Sequence, residues 1–360
     1  TPKQGGRFGS RPYGFAALFG FGFLPLTMFL SERTDLVNNT GTTGPKKSTK
    51  MFVSGVLILT ISNILVKTIG LLFKIPLHDY LGDEGMGYFN AAYTIYTWFY
   101  MISTAGLPIA MSVLVSKSRA KGNFNQVKKI LRLSLWLFFI VGSVGMLILA
   151  LGSGMFAALI KVERANLCIL AIAPTLFFVC LTSAYRGYFQ GHQIMWPTAV
   201  SQLIESVGKL VLGILFASWS ISRGDPLYVT AAYTILGITI GVFCGMVFIW
   251  ITKLLYNTDA VNAEYALPDS YTMPTERTKT LLKELVVIAI PVTLSSSVMS
   301  LANLVDLMVV SRRLQASGLS EKAAAALYGN YTTLAVPLFN LPPVLVYPIG
   351  YSLVPMLSAL

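Results

Sequence analysis

Eight long apolar runs follow one another from residue 53 to the end of the chain, and no water-soluble fold could bury all of them. They read as Val53–Leu77, Tyr88–Ser116, Ile130–Leu151, Ala165–Tyr185, Pro197–Ser220, Tyr228–Lys253, Leu285–Val310 and Leu327–Leu360. As helices, each is long enough to cross ~30 Å of hydrocarbon. Hydrophobic residues make up 54% of the chain and charged residues only 12%. A soluble domain carries about a quarter charged residues, so these spans need lipid around them. The expected fold class is an all-α polytopic membrane protein.

The net charge of +12 does not indicate a nucleic-acid partner, because the basic residues sit between spans rather than on one face. Loops on the side where span one begins hold Lys46, Lys47, Lys50, Lys117, Arg119, Lys121, Lys128, Lys129, Arg132, Arg186, Lys253, Arg277, Lys279 and Lys283. Opposite loops hold Lys161, Arg164, Arg223, Arg312, Arg313 and Lys322, with Asp79, Asp83 and Glu84 in the first. The positive-inside rule therefore places the N-terminal side of span one in the cytoplasm of a cell membrane. Cys168, Cys180 and Cys244 lie far apart inside apolar runs and read as small core residues. With His78 and His192 also separated, no metal set is expected, nor any cofactor.

Organisation follows from where the apolar pattern lapses. Residues 1–50, with an apolar stretch at 13–30, fit a signal-like segment, an extra span or a reading-frame start upstream of a natural one near Lys46–Met51, and carry no weight in the fold. A six-span bundle occupies 51–255, a polar cytoplasmic linker 256–281, and the opening of a second bundle 282–360. Tyr88, Asn90, Phe99, Pro108, Ile109 and Ser112 recur, without a gap, as Tyr328, Asn330, Phe339, Pro348, Ile349 and Ser352. Roughly two such identities are expected by composition, so span eight reads as the counterpart of span two. The offset covers six helices, and parallel repeats of this kind build secondary transporters. The second bundle would then stop after two helices.

Polar residues inside spans mark functional sites by default, since a charge there costs about 2.5–3.5 kcal/mol. Asn63, Lys67, Gly70 and Lys74 share one face of span one. Two inward ammonium groups suit an anionic ligand such as a pyrophosphate, while snorkelling explains Lys74 equally well. In span five, Glu205 and Lys209 are four apart and can pair within the helix. Span seven carries Ser296, Ser300, Asn303 and Asp306 on one stripe, and the expected partner of Asp306 is a lysine of span one or a coupling ion. Prolines interrupt spans two and eight, with Asn340 beside Pro342 and Pro343. No nucleophile–base pair or phosphate loop is visible, so an enzyme is not expected.

The runs Asn63–Gly85, Ser103–Ser116 and Tyr185–Gly191 (YRGYFQG), with Pro197–Thr198 and Gln202–Glu205 following, resemble the polysaccharide-biosynthesis and stage V sporulation protein B group of the multidrug/oligosaccharidyl-lipid/polysaccharide exporter superfamily. Lipid II flippases are close relatives of that group. The resemblance implies a MATE-like fold of two six-helix lobes around a central cavity. It implies outward flipping of lipid-linked saccharides, of the undecaprenyl-pyrophosphate type, by alternating access. Lys67 and Lys74 match, approximately, cavity residues of the first helix that engage pyrophosphate in lipid II flippases, where the relatives mostly have arginines. Arg186 lies in the group's signature loop. The alternatives are a drug/cation antiporter of the same superfamily, against which the basic first helix argues, and a membrane-embedded glycosyltransferase, for which the outer loops leave little room.

Overall fold

The structure, a computed structural model, describes residues 45–256 and 270–336, with side chains left out at 45–54, 56 and 334. Everything described is helical or connects helices. The helices are α1 (Pro45–Thr104), α2 (Leu107–Ala120), α3 (Phe124–Leu151), α4 (Ser153–Leu159), α5 (Asn166–Gly191), α6 (Trp196–Ser222), α7 (Leu227–Leu255), α8 (Thr278–Ala316) and α9 (Glu321–Asn330). Six helical stretches are long and apolar enough to cross a membrane, the first being Leu57–Ala120.

That first stretch holds two spans. At ~1.5 Å per residue a straight helix of its 64 residues would be roughly 96 Å long, three times a bilayer core. The reversal occurs at Gly82, whose φ of 58° and ψ of −173° break the helix in a region that disfavours residues with a Cβ. This falls in the interval expected between Leu77 and Tyr88. Span two then breaks again at Ala105–Gly106 and restarts in α2 with Pro108 in its first turn, where a missing N–H costs nothing. Span seven is longer than expected: α8 extends to Thr278 and Ala316 because its polar flanks continue the helix. Span eight begins at Glu321, capped by Ser320 Oγ accepting from Ala323 N at 3.3 Å. Its remainder, with Pro337, Phe339, Asn340, Pro342, Pro343, Pro348, Ile349 and Ser352, lies outside the described residues, as does 1–44.

Packing depends on small residues rather than on hydrophobicity, which lipid supplies equally. Gly237, Gly241 and Gly245 recur every fourth residue along α7 and lie against α6. A Cβ on Gly241 would come within 2.9 Å of the Gly208 carbonyl carbon, and one on Gly245 within 2.6 Å of Glu205 Cγ. The middle helix, α5, buries residues all round, whereas α3, α6 and α8 leave large apolar residues such as Ile148, Leu215 and Val298 exposed, as lipid-facing helices should. Two hydrophobic clusters stack along the bundle. One gathers Tyr88, Ile169 and Leu307, and the other Met111, Phe189 and Leu285, so α8 contributes to both.

Two expected loop segments are structured. Residues 270–277 of the linker dock on the start of α3, with Asn123 Nδ2 donating to Pro274 O at 2.9 Å and Lys129 Nζ to Glu276 O at 2.6 Å. Arg119, read as a loop charge, is buried at the end of α2 and donates to the His192 carbonyl at 2.9 Å.

Candidate functional site

The second half of α1 presents an aromatic column. Phe89, Tyr93, Tyr96 and Tyr100 recur on one helix face with successive ring centroids 5.9, 5.7 and 5.8 Å apart. The close α6–α7 packing at Gly208 and Gly241 sets the height of Lys209 on α6, and its ammonium lies 4.8 Å from the Tyr93 ring centroid and 5.2 Å from that of Phe73. Phe73 immediately precedes Lys74, so Lys209 reaches span one from α6 next to Lys74. Among the described residues no carboxylate pairs with either one. Aromatic faces hold Lys209 through cation–π attraction without neutralising it.

Glu205 does not pair with Lys209, as the spacing within α6 suggested. Its Oε1 accepts from Arg186 Nη2 at 2.7 Å, and Arg186 Nε donates to Ser201 Oγ at 3.0 Å. The guanidinium fork reaches two acceptors one turn apart on α6, which an ammonium cannot match. Arg186 itself is no loop residue. The helix continues through YRGYFQG to Gly191, and the arginine turns inward with 11% of its side chain exposed against 18% for Glu205. Gly245 leaves room for the carboxylate.

The same face meets α9 and the helical turn that follows it, Tyr331–Ala335. Lys74 Nζ donates to Thr332 O at 3.4 Å, Asn90 Nδ2 to Thr333 Oγ1 at 2.9 Å, and Thr94 Oγ1 lies 3.5 Å from the Tyr328 hydroxyl. Gly87 allows this approach, since a Cβ there would strike the Ala325 carbonyl. Of the segments linked by the 240-residue offset, the described residues Tyr328 and Thr333 therefore meet the counterpart segment at Thr94 and Asn90. Asn63 and Lys67 lie exposed on the first half of α1, a turn or more from the paired lysines, and make no hydrogen bond or ion pair among the described residues. Asn303 is exposed and Asp306 half-buried on α8. Among the described residues Asp306 pairs with neither lysine of span one, and Tyr328 is the nearby group that feels its charge.

Beyond Gly82, polar contacts join the early helices to α8 and α9. Glu84 accepts from Tyr88 at 2.8 Å and lies 3.9 Å from Arg164 and 3.7 Å from Lys322. The Arg164 N–H donates to Glu321 at 3.2 Å, and Gln315 Nε2 to Lys161 O at 2.6 Å. This end of the bundle is thus latched. The pairing of lysine with aromatic rings escaped the sequence reading because its partners are distant along the chain. The regular spacing Phe89, Tyr93, Tyr96, Tyr100 is the signal that could have pointed to it.

A family model described as polysaccharide biosynthesis protein matches residues 52–360. The lipid II flippase MurJ of Bacillus subtilis (strain 168) is 30% identical over 208 residues, which cover 55% of this chain and 38% of that protein. Stage V sporulation protein B of the same organism is 26% identical over 308 residues, 85% of this chain and 58% of the relative. The chain thus spans well under two thirds of either relative. Among solved structures, an inward-facing multidrug resistance MATE family transporter of the MOP superfamily matches with a TM-score of 0.56 at 17% identity, covering 77% of this chain and 60% of that one. At that identity the likeness shows the fold, which is MATE-like.

Proposed function

The chain belongs to the polysaccharide biosynthesis protein family, and from that premise we propose that it is part of a flippase carrying a lipid-linked saccharide across the cytoplasmic membrane. The observation that carries this reading is Lys209 held by the aromatic column next to Lys74, whose own ammonium meets Thr332 of span eight. Two ammonium groups without a carboxylate partner among the described residues, in a membrane-embedded position, offer an anionic headgroup what water would otherwise supply. The chemistry favours a pyrophosphate, and the aromatic rings offer a stacking surface to the adjoining sugar. The relative named as a lipid II flippase supports the substrate class. Carriage needs no covalent step, and we assign no catalytic residue.

In this reading α1–α7 form the first lobe and α8–α9 open the second, with the linker and the start of span one cytoplasmic. The latch at Glu84 then closes the outer side while the substrate enters from within. Lys67 and Asn63 guide the headgroup along span one toward Lys74. Arg186 and Glu205 hold α5 and α6 in register behind it. Asp306, with Asn303, is assigned to a coupling cation, because its carboxylate has no cationic partner among the described residues. Asn340 in span eight is kept as a cavity residue on sequence grounds alone.

The test is transport. Intact protein in proteoliposomes should move a fluorescent undecaprenyl-pyrophosphate saccharide between leaflets, and Lys74→Ala with Lys209→Ala should slow it at least tenfold while leaving the fold intact. Unchanged flipping in that double variant, or equal flipping of a neutral polyprenyl glycoside, would overturn the assignment. A cationic dye moved in its place would favour the antiporter.

A further inference from the structure

A cavity of about 670 Å³ opens on a different face, between α3 and the C-terminal end of α5. Lys128 and Arg132 from α3 and Lys253 from α7 line it beside Tyr185, and Leu135, Trp136 and Phe139 continue its wall. The charge at its rim is concentrated and of one sign. Lys128 and Arg132 are one turn apart and make no ion pair among the described residues, and like charges at that spacing repel. The Lys128 ammonium also lies 4.8 Å from the Tyr271 ring centroid of the docked linker. Lys253, from another helix, is brought to the same cavity, its ammonium 4.8 Å from the Tyr188 ring centroid. A bound anion would relieve the repulsion between Lys128 and Arg132 within reach of Lys253.

The shape says which anion. From Lys128 to Phe139 α3 rises through 11 residues, roughly 16 Å at ~1.5 Å each, close to half the ~30 Å hydrocarbon thickness. The wall below the basic rim is apolar and exposed, Trp136 by 61% and Phe139 by 45%. Charge at the rim and one leaflet's depth of apolar wall match an amphiphile rather than a free ion. We propose that this groove binds one anionic phospholipid of the adjoining leaflet, its phosphate among Lys128, Arg132 and Lys253 and its acyl chains along Leu135, Trp136 and Phe139. The site is separate from the Lys74–Lys209 pair and does not depend on the transport reading.

The experiment counts bound lipid by native mass spectrometry on protein titrated in neutral detergent with phosphatidylglycerol or chain-matched phosphatidylcholine. One phosphatidylglycerol should be retained in preference. The variant Lys128→Gln/Arg132→Gln should weaken it about 30-fold, from ~1 kcal/mol per basic residue near anionic lipid at tenfold per ~1.4 kcal/mol. Lys67→Ala/Lys74→Ala should leave it unchanged. In unmodified protein, brominated phosphatidylglycerol should quench a fluorescence component that Trp136→Phe removes, which tests the groove without the charge variant. Equal retention of both lipids, unchanged affinity in the groove variant, loss in the span-one variant instead, or displacement by equimolar inorganic phosphate would each overturn the proposal.

Discussion

Breaking the Arg186–Glu205 pair should destabilise the bundle far more than deleting both partners. The pair is short, at 2.7 Å, and its side chains are 11% and 18% exposed. Removing one member of a buried pair costs about 3–5 kcal/mol, because the survivor stays charged without a partner. Residual exposure, and the Ser201 hydroxyl that still holds Arg186, place Glu205→Met near the low end, about 3 kcal/mol. At ~2 °C per kcal/mol, the lower bound for domains of moderate size, the thermal midpoint falls by roughly 6 °C. Arg186→Met should fall comparably, and Ser201 Oγ keeps its bond to Thr198 O at 2.9 Å in that variant. Combined, the two methionines fill similar volume and remove both charges, so the double variant should recover most of the loss, since apolar replacement of a buried pair is often neutral or better. The assay is thermal unfolding of the purified protein in detergent, read as a double-mutant cycle. Simple additivity, or single-variant shifts under about 1 °C, would refute the claim that this pair fixes α5 against α6.

Other consequences are as direct. Gly241→Val should destabilise the α6–α7 packing by about 2 kcal/mol or more, since its Cβ meets backbone rather than a movable side chain; an unchanged midpoint in Gly241→Ala, which adds that Cβ alone, would contradict the steric argument. Asn90→Leu should cost about 1–2 kcal/mol by leaving Thr333 without its 2.9 Å bond, readable as a lower midpoint. Glu84→Ala should cost about 1–3 kcal/mol, because it strands the hydroxyl of buried Tyr88 while its long, partly exposed ion pairs contribute little, and it should raise the labelling of a cysteine placed at Gln315. Cysteines at Lys121 and Lys322 should react with an impermeant maleimide from opposite sides of intact cells, only Lys322→Cys from outside; the reverse pattern would invert the orientation.

The membrane spans were legible because a hydrocarbon slab admits little besides long apolar helices, and Gly82 turned the chain within the interval the pattern left open. Interior pairings were less legible. Glu205 and Lys209 satisfy the spacing rule for a helical ion pair, but that rule ignores Arg186, whose fork arrives from another helix and wins on geometry. Arg186 looked like a loop residue because apolar density drops after Leu181, although tyrosines, glycine and phenylalanine continue the helix. Lys74 was read either as an inward-facing ligand or as snorkelling to the interface, and the structure sets Lys209 against the neighbouring ring of Phe73. Nothing in span one hints at that, since the link runs through the rings of Phe73 and Tyr93.

Holding Lys209 by ring faces instead of a carboxylate has an electrical consequence. On the proposed function, neither Lys74 nor Lys209 has a counter-charge among the described residues, so the empty site adds about two positive charges to the membrane field, whereas a bound pyrophosphate would bring that site near electroneutrality. A potential acts on each unbalanced charge with ~2.3 kcal/mol per 100 mV for a full crossing, scaled by the part of the field the site traverses. Voltage should therefore govern the empty return stroke and leave the loaded stroke almost untouched, so that a cell's resting potential sets how fast the carrier resets.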